Sequence, residues 1–167
     1  MEGRDRAKLH QPHSHSVLLL HVVWATCRRA AVLPPACDPW LAQLLGRKAV
    51  ELGCALLGSG NASDHVHAVL RFPATLCVAD LVRRLKGASS YAWNSEGPGV
   101  TSPLRWQTGY WAESVSPSQV LSLLRYVERQ RRHHGETTTI EPWEAEAVLV
   151  QDDGSPKGFP DARTGRA

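Results

Sequence analysis

The stretch Asp64-His65-Val66-His67-Ala68-Val69-Leu70 sets two histidines one residue apart at the head of an apolar run. Side chains alternate across a strand, so His65 and His67 point to one face while Val66 and Ala68 point to the other. Two imidazoles placed this way can share a metal ion. Far downstream, Tyr126 and Gln130 offer a nucleophile and a third ligand, one helical turn apart. Taken singly, each feature has a plainer reading: a lone HxH pair as structural, a tyrosine beside an apolar helix face as packing. Their combination points to chemistry.

The surrounding pattern must position these side chains. Val17–Thr26 is nearly continuous in apolar and β-branched residues and reads as a central strand. Pro34-Pro35 mark a loop. Asp38 is then placed to cap a helix that opens on Pro39, carries Trp40, Leu41, Leu44, Leu45, Ala49 and Leu52 at helical spacing, and stops at Gly53. Cys54–Gly58 and His65–Phe72 read as strands of a hairpin joined through Ser59-Gly60-Asn61-Ala62-Ser63, and Pro73 ends the second. Val78–Tyr91 is an amphipathic helix, with Leu81, Val82, Leu85 and Ala88 inward and Arg83, Arg84 and Lys86 outward. After a Gly/Pro/Ser-rich loop, Gly109–Val115 reads as a short last strand and Ser118–His134 as a third helix closed by Gly135. On that helix Val120, Leu124 and Val127 form the apolar face, with Tyr126, Gln130 and His133 along its edge.

This order predicts an α+β fold, a ferredoxin-like antiparallel sheet with helices packed on one face, plus a C-terminal helix carrying the tyrosine. A chain of 167 residues suits one domain with a real core. We expect that domain over residues 16–150, with a disordered segment at 1–15 and a disordered tail at 151–167 that offers no apolar anchor. The net charge of +3 permits nucleic-acid binding without demanding it. Arg28-Arg29, Arg83-Arg84-Lys86 and Arg129-Arg131-Arg132 are local concentrations that read equally as solvated faces. Four cysteines without CxxC spacing look like reduced, mostly buried thiols. The apolar run Val17–Ala25 is too short to span a bilayer and is interrupted by His21, so no membrane association and a cytoplasmic location are expected.

Five blocks in one order carry a family resemblance: Asp64-His65-Val66-His67, Leu81 through Ser90, Trp106-Gln107-Thr108-Gly109-Tyr110, Ser114-Val115-Ser116 and Tyr126-Val127-Glu128-Arg129-Gln130. They resemble the small single-tyrosine HUH transposases of bacterial insertion sequences and their REP-associated tyrosine transposase relatives. The resemblance covers about Val17 to Trp143. It implies that His65, His67 and Gln130 bind a divalent cation, Mg²⁺ or Mn²⁺, which acts as a Lewis acid on a scissile phosphate. Zinc would also fit a site with three protein ligands and an open position. Tyr126 is the implied catalytic nucleophile, forming a 5′-phosphotyrosine link. A free phenol, with a pKa near ~10, is only about one part in a thousand ionised at pH 7, so the site must activate it.

By the same resemblance the partner is single-stranded, hairpin-forming DNA. Arg83, Arg84 and Lys86 are candidate phosphate contacts, and Trp106, Tyr110 and Trp111 can either stack on bases or pack in the core. Both a homodimer and a monomer occur among such proteins. Trp111-Ala112-Glu113 departs from the commoner small residue and Phe, at positions expected to touch neither the ligands nor the nucleophile. Two other functions compete. A histidine-triad nucleotide hydrolase would need a third alternating histidine where Val69 stands. A domesticated ferredoxin-like nucleic-acid-binding module would keep the fold and lose cleavage.

Overall fold

Eight residues from Leu18 to Ala25 form β1, and all but the first are buried. Such a strand must lie in the middle of a sheet with both faces covered. In the computed structural model, which describes residues 15–97 and 102–131, it does. β1 pairs antiparallel with β3 (His65–Phe72) on one side and β4 (Trp111–Ser114) on the other, while β2 (Ala55–Asn61) pairs antiparallel with β3. The resulting four-stranded order β2-β3-β1-β4 is the ferredoxin-like arrangement expected.

Alternation along β1 and β3 divides the apolar side chains between two faces. Leu20, Val22 and Trp24 with Val66, Ala68 and Leu70 form the main core against α1 (Asp38–Glu51) and α2 (Val78–Glu96). Leu41, Leu45 and Ala49 of α1 follow at four-residue spacing and are buried, as are Leu81, Val82 and Leu85 of α2. Edge-on aromatic pairs, Trp40 with Trp93 and Trp24 with Trp106, tie these layers together at centroid separations of 5.8 and 6.0 Å. The opposite face carries a smaller cluster of Val69, Leu123 and Val127, where α3 (Val120–Glu128) packs.

Several boundaries differ from the sequence expectation. Asp38 is the first residue of α1, and its carboxylate accepts from Asn61 and Arg131 instead of capping the helix. Strand β2 runs on to Asn61, with a register shift between Leu56 and Gly58, because a bulge absorbs the extra residue and keeps the pairing with β3. Helix α2 continues to Glu96, since Trp93 is buried against the core and Asn94 clasps both backbone polar groups of Leu104. Helix α3 starts at Val120 and buries Leu123 and Val127, leaving Leu124 half-buried. Gly53 ends α1 as expected, in the left-handed region with φ of 71°. Cys37 and Cys54 are buried, whereas Cys27 and Cys77 are exposed, so half the thiols depart from the buried reading. The expected N-terminal segment, His133 and the tail lie outside the described residues, apart from residue 15.

Candidate active site

His65 and His67 lie on the sheet face opposite α1 and α2, because their neighbours Val66 and Ala68 point into the helix-covered core. Their ring centroids are 5.0 Å apart, and both residues are buried. The Nδ1 of His65 is 2.6 Å from Oδ1 of Asp64. A carboxylate only accepts, so Nδ1 carries the proton and the lone pair of His65 sits on Nε2. Asp64 is itself held by Arg29, whose Nε is 2.8 Å from Oδ2. Arg28 and Arg29 both have positive φ, 56° and 55°. This strained turn, costing on the order of 1–2 kcal/mol per residue, directs a guanidinium onto the acid that orients a histidine.

Helix α3 brings the second cluster to the same face. The ring of Tyr126 meets that of His67 edge-on, with centroids 5.9 Å apart. Val127 packs over Gly60, the cross-strand neighbour of His67. Just past the end of α3, Gln130 is 1% exposed, and neither its amide oxygen nor its nitrogen has a hydrogen-bond partner among the described residues. Leaving a buried polar group unsatisfied costs about 1–3 kcal/mol. Such an orphaned amide suits a residue awaiting a cation or a phosphate oxygen. Among the described residues no three His, Cys, Asp or Glu side chains gather as a metal site. Among the described residues, the orphaned amide of Gln130 is a candidate further donor for a cation held by His65 and His67.

Behind His67 lies a residue the sequence pattern had registered only as a break in β1. His21 is fully buried, and its Nε2 is 3.0 Å from Nδ1 of His67, with the two rings stacked. Burial pulls the His21 pKa down from 6.5 to about 4, so it is neutral near pH 7. Glu113 and Trp111 of β4 flank it: Oε1 of Glu113 is 3.6 Å from Nδ1 of His21, and the Trp111 ring meets the imidazole edge-on. The signal that could have found His21 was a histidine inside a strand with no exposed face.

With this geometry in view, the comparisons with known proteins become specific. The family profile described as "Transposase IS200 like" matches residues 14–130. The chain belongs to that family. Among solved structures, this IS200-like transposase is similar to a candidate transposase from Deinococcus radiodurans R1, at 27% identity and a TM-score of 0.58, over 72% of this chain and 96% of that one. It also shares its fold with a REP-associated tyrosine transposase whose structure contains a bound REP hairpin, at 13% identity and a TM-score of 0.53, over 89% and 90% of the two chains. No curated protein matches the chain.

In the IS200-like transposase His65, His67 and Tyr126 share one face, and the residues proposed for DNA contact do not join them. Arg83 and Arg84 line a groove of about 560 Å³ between α1 and α2, together with Arg47, Lys48 and Tyr91, on the far side of the sheet. Lys86 is turned inward: its ammonium donates to the carbonyls of Gln107, Thr108 and Gly109. Burial lowers its pKa. Trp106 donates from Nε1 to Ser89, and both Trp106 and Tyr110 pack half-buried against the main core. Trp111 and Glu113, set apart in the sequence as remote from the ligands, are one residue removed from His67 through His21. Among the described residues no helix is long and apolar enough to cross a membrane.

Proposed function

We propose that this transposase cuts and rejoins single-stranded DNA through a covalent bond to Tyr126, with His65, His67 and Gln130 holding Mg²⁺ or Mn²⁺. The observation that carries the reading is the Tyr126 ring lying against His67, with an orphaned Gln130 four residues on, just past the end of α3. When bound, the cation would act as a Lewis acid on the scissile phosphate and help fix its orientation.

The protein's own groups account for the rest. The phenolic oxygen of Tyr126 attacks phosphorus, forming an O–P bond as the bond to the 3′ oxygen breaks. The phenol gives up its proton and the leaving 3′ oxygen takes one, so no net proton is consumed. Rejoining is the reverse, with a 3′-hydroxyl attacking the phosphotyrosine and restoring the phenol. One phosphodiester is exchanged for another ester of similar energy, so no nucleotide hydrolysis is needed. Asp64 keeps the Nε2 lone pair of His65 available, and the half-buried setting of Tyr126 limits access of water to the ester.

Hairpin-forming DNA as the substrate is supported by the neighbour that carries a REP hairpin. We assign part of its backbone to the groove lined by Arg47, Lys48, Arg83 and Arg84, where Lys48 pairs with Glu51 and Arg83 with Asp80, while Lys86, Trp106 and Tyr110 hold the segment between α2 and β4 in place. A cytoplasmic location and either a monomer or a homodimer fit this reading.

The test uses labelled single-stranded hairpins drawn from the DNA flanking the coding region, incubated with Mn²⁺ and run under denaturing conditions. A covalent protein–DNA adduct is expected, and Tyr126→Phe should lack it. An adduct that survives in Tyr126→Phe overturns the assignment. DNA binding without any adduct across the substrates would mark a binding module instead.

A further inference from the structure

We infer that Glu113 and the buried His21 form a relay that fixes the proton of His67 on Nδ1, leaving its Nε2 lone pair turned to the cation site, so that His21 is a positioning residue for that site. This deepens the proposed metal-dependent reading and rests on it.

Burying His21 carries a cost. A fully buried imidazole stands in Leu-Leu-Leu-His-Val-Val-Trp-Ala, where every neighbour is apolar. An apolar residue would pack there without any polar group to satisfy. The position is explained by what its two nitrogens face. Between Nε2 of His21 and Nδ1 of His67, 3.0 Å apart, one proton is shared, and two arrangements of neutral rings can place it. If His67 accepted, its proton would sit on Nε2, blocking the lone pair. His21 would then be protonated on Nε2 and turn a bare Nδ1 lone pair toward the carboxylate of Glu113, 3.6 Å away. Lone pair would face anion. In the other arrangement His21 carries its proton on Nδ1, toward Glu113, and accepts from His67. At 3.6 Å the contact is longer than a hydrogen bond, yet a carboxylate this close to a fully buried ring acts through its charge, and its sign selects this arrangement.

The sheet builds the relay from non-adjacent segments. His21 pairs directly across from Glu113 in β4 and from Val69 in β3, while His67 sits across from Val23. All the side chains of the relay therefore share the face that α3 covers with Tyr126. The Trp111 ring packs edge-on against His21, which restrains rotation of the imidazole. His65 reaches the same outcome through Asp64, with Nδ1 donating and the lone pair on Nε2. Both imidazoles are thus oriented by a carboxylate, one directly and one through a second histidine. Partners of this kind typically change metal affinity by about 10–100-fold when removed.

The test combines two readouts on the full chain without DNA. Long-range ¹H–¹⁵N spectra of the metal-free protein report the tautomer of His67, and calorimetric titration with Mn²⁺ reports affinity. Wild type should show His67 protonated on Nδ1. His21→Leu should lose that preference and bind Mn²⁺ about 10–100-fold more weakly. His21→Gln keeps an acceptor and should retain most of both. Glu113→Gln, on a partly exposed side chain, leaves the core intact and should weaken Mn²⁺ binding less than His21→Leu. The inference is overturned if wild-type His67 carries its proton on Nε2, or if a folded His21→Leu binds Mn²⁺ as well as wild type. Wild-type protein that binds no Mn²⁺ would sink the cation site itself, and the purpose assigned to the relay with it, even where the spectra show the expected tautomer.

Discussion

Gly60 in β2 lies directly beneath the backbone carbonyl of Val127 in α3, so close that a Cβ there would collide with it. A backbone atom cannot step aside as a side chain can. Two positions earlier, Gly58 faces only the tip of the flexible Leu124 side chain. Together the two glycines form the seat on which the tyrosine helix rests.

From this contrast, Gly60→Ala should lift α3 and cost about 1–3 kcal/mol, while Gly58→Ala should stay within about 1 kcal/mol. Adduct formation should separate them more sharply. A displacement near 1 Å at a catalytic group can cost on the order of 10²-fold in rate. Denaturant midpoints and single-turnover adduct yields check this, and equal behaviour of the two variants would refute the seat.

The end of α3 is fastened as well. Arg131 donates from Nε to Asp38 at 2.6 Å and from Nη2 to the same carboxylate and to the carbonyl of Leu33. The hydrogen bond to Asp38 raises the Arg131 pKa. With side chains 24% and 36% exposed, solvent trims the value of the pair, and Asp38→Ala should cost about 1–2 kcal/mol. Because Gln130 precedes Arg131, adduct yield should fall too. Arg131→Lys should restore little, since an ammonium cannot span both carboxylate oxygens.

Lys86 and Arg84 sit two residues apart on α2 and should fail in different ways. Lys86→Met removes three carbonyl contacts and should lower the melting temperature without altering the salt dependence of DNA binding. Arg84→Ala should leave the melt unchanged and reduce the slope of log affinity against log salt by about 0.7. Melting curves and binding titrations at several salt concentrations distinguish them. A reduced slope in Lys86→Met would return that residue to the DNA surface.

Burial, reinforced by the neighbouring charge of Asp38, pushes the Cys37 thiol up to about 11. The folded state therefore favours the protonated thiol. At pH 8 about one Cys37 in a thousand would be thiolate, and the fraction rises tenfold per pH unit toward 11. Alkylation followed by mass mapping should modify the exposed Cys27 and Cys77 first and Cys37 last. Since ionisation is disfavoured only in the folded state, stability should be full below the thiol's ordinary pKa of 9.0 and decline as pH climbs through 11.

Local order was written into the chain. Period-two alternation put His65 and His67 on one face, helical spacing put Tyr126 beside the apolar stripe of α3, and the order of elements implied the sheet. What the chain alone did not disclose depends on contacts between distant segments. His21 read as an interruption in a strand until β1 was paired between β3 and β4. Glu113 and Trp111 read as remote from the ligands, because nothing in local pattern reveals which residues face each other across a ladder. Lys86 read as a surface cation, since helical periodicity cannot register a loop folding over its ammonium. Gly60 read as a turn signal, although it lies within β2 with α3 seated on it. Periodicity is a property of neighbours along the chain, so sequence determined the faces of each element. Pairing register and helix docking depend on contacts dozens of residues apart, so only the folded molecule decided what those faces meet.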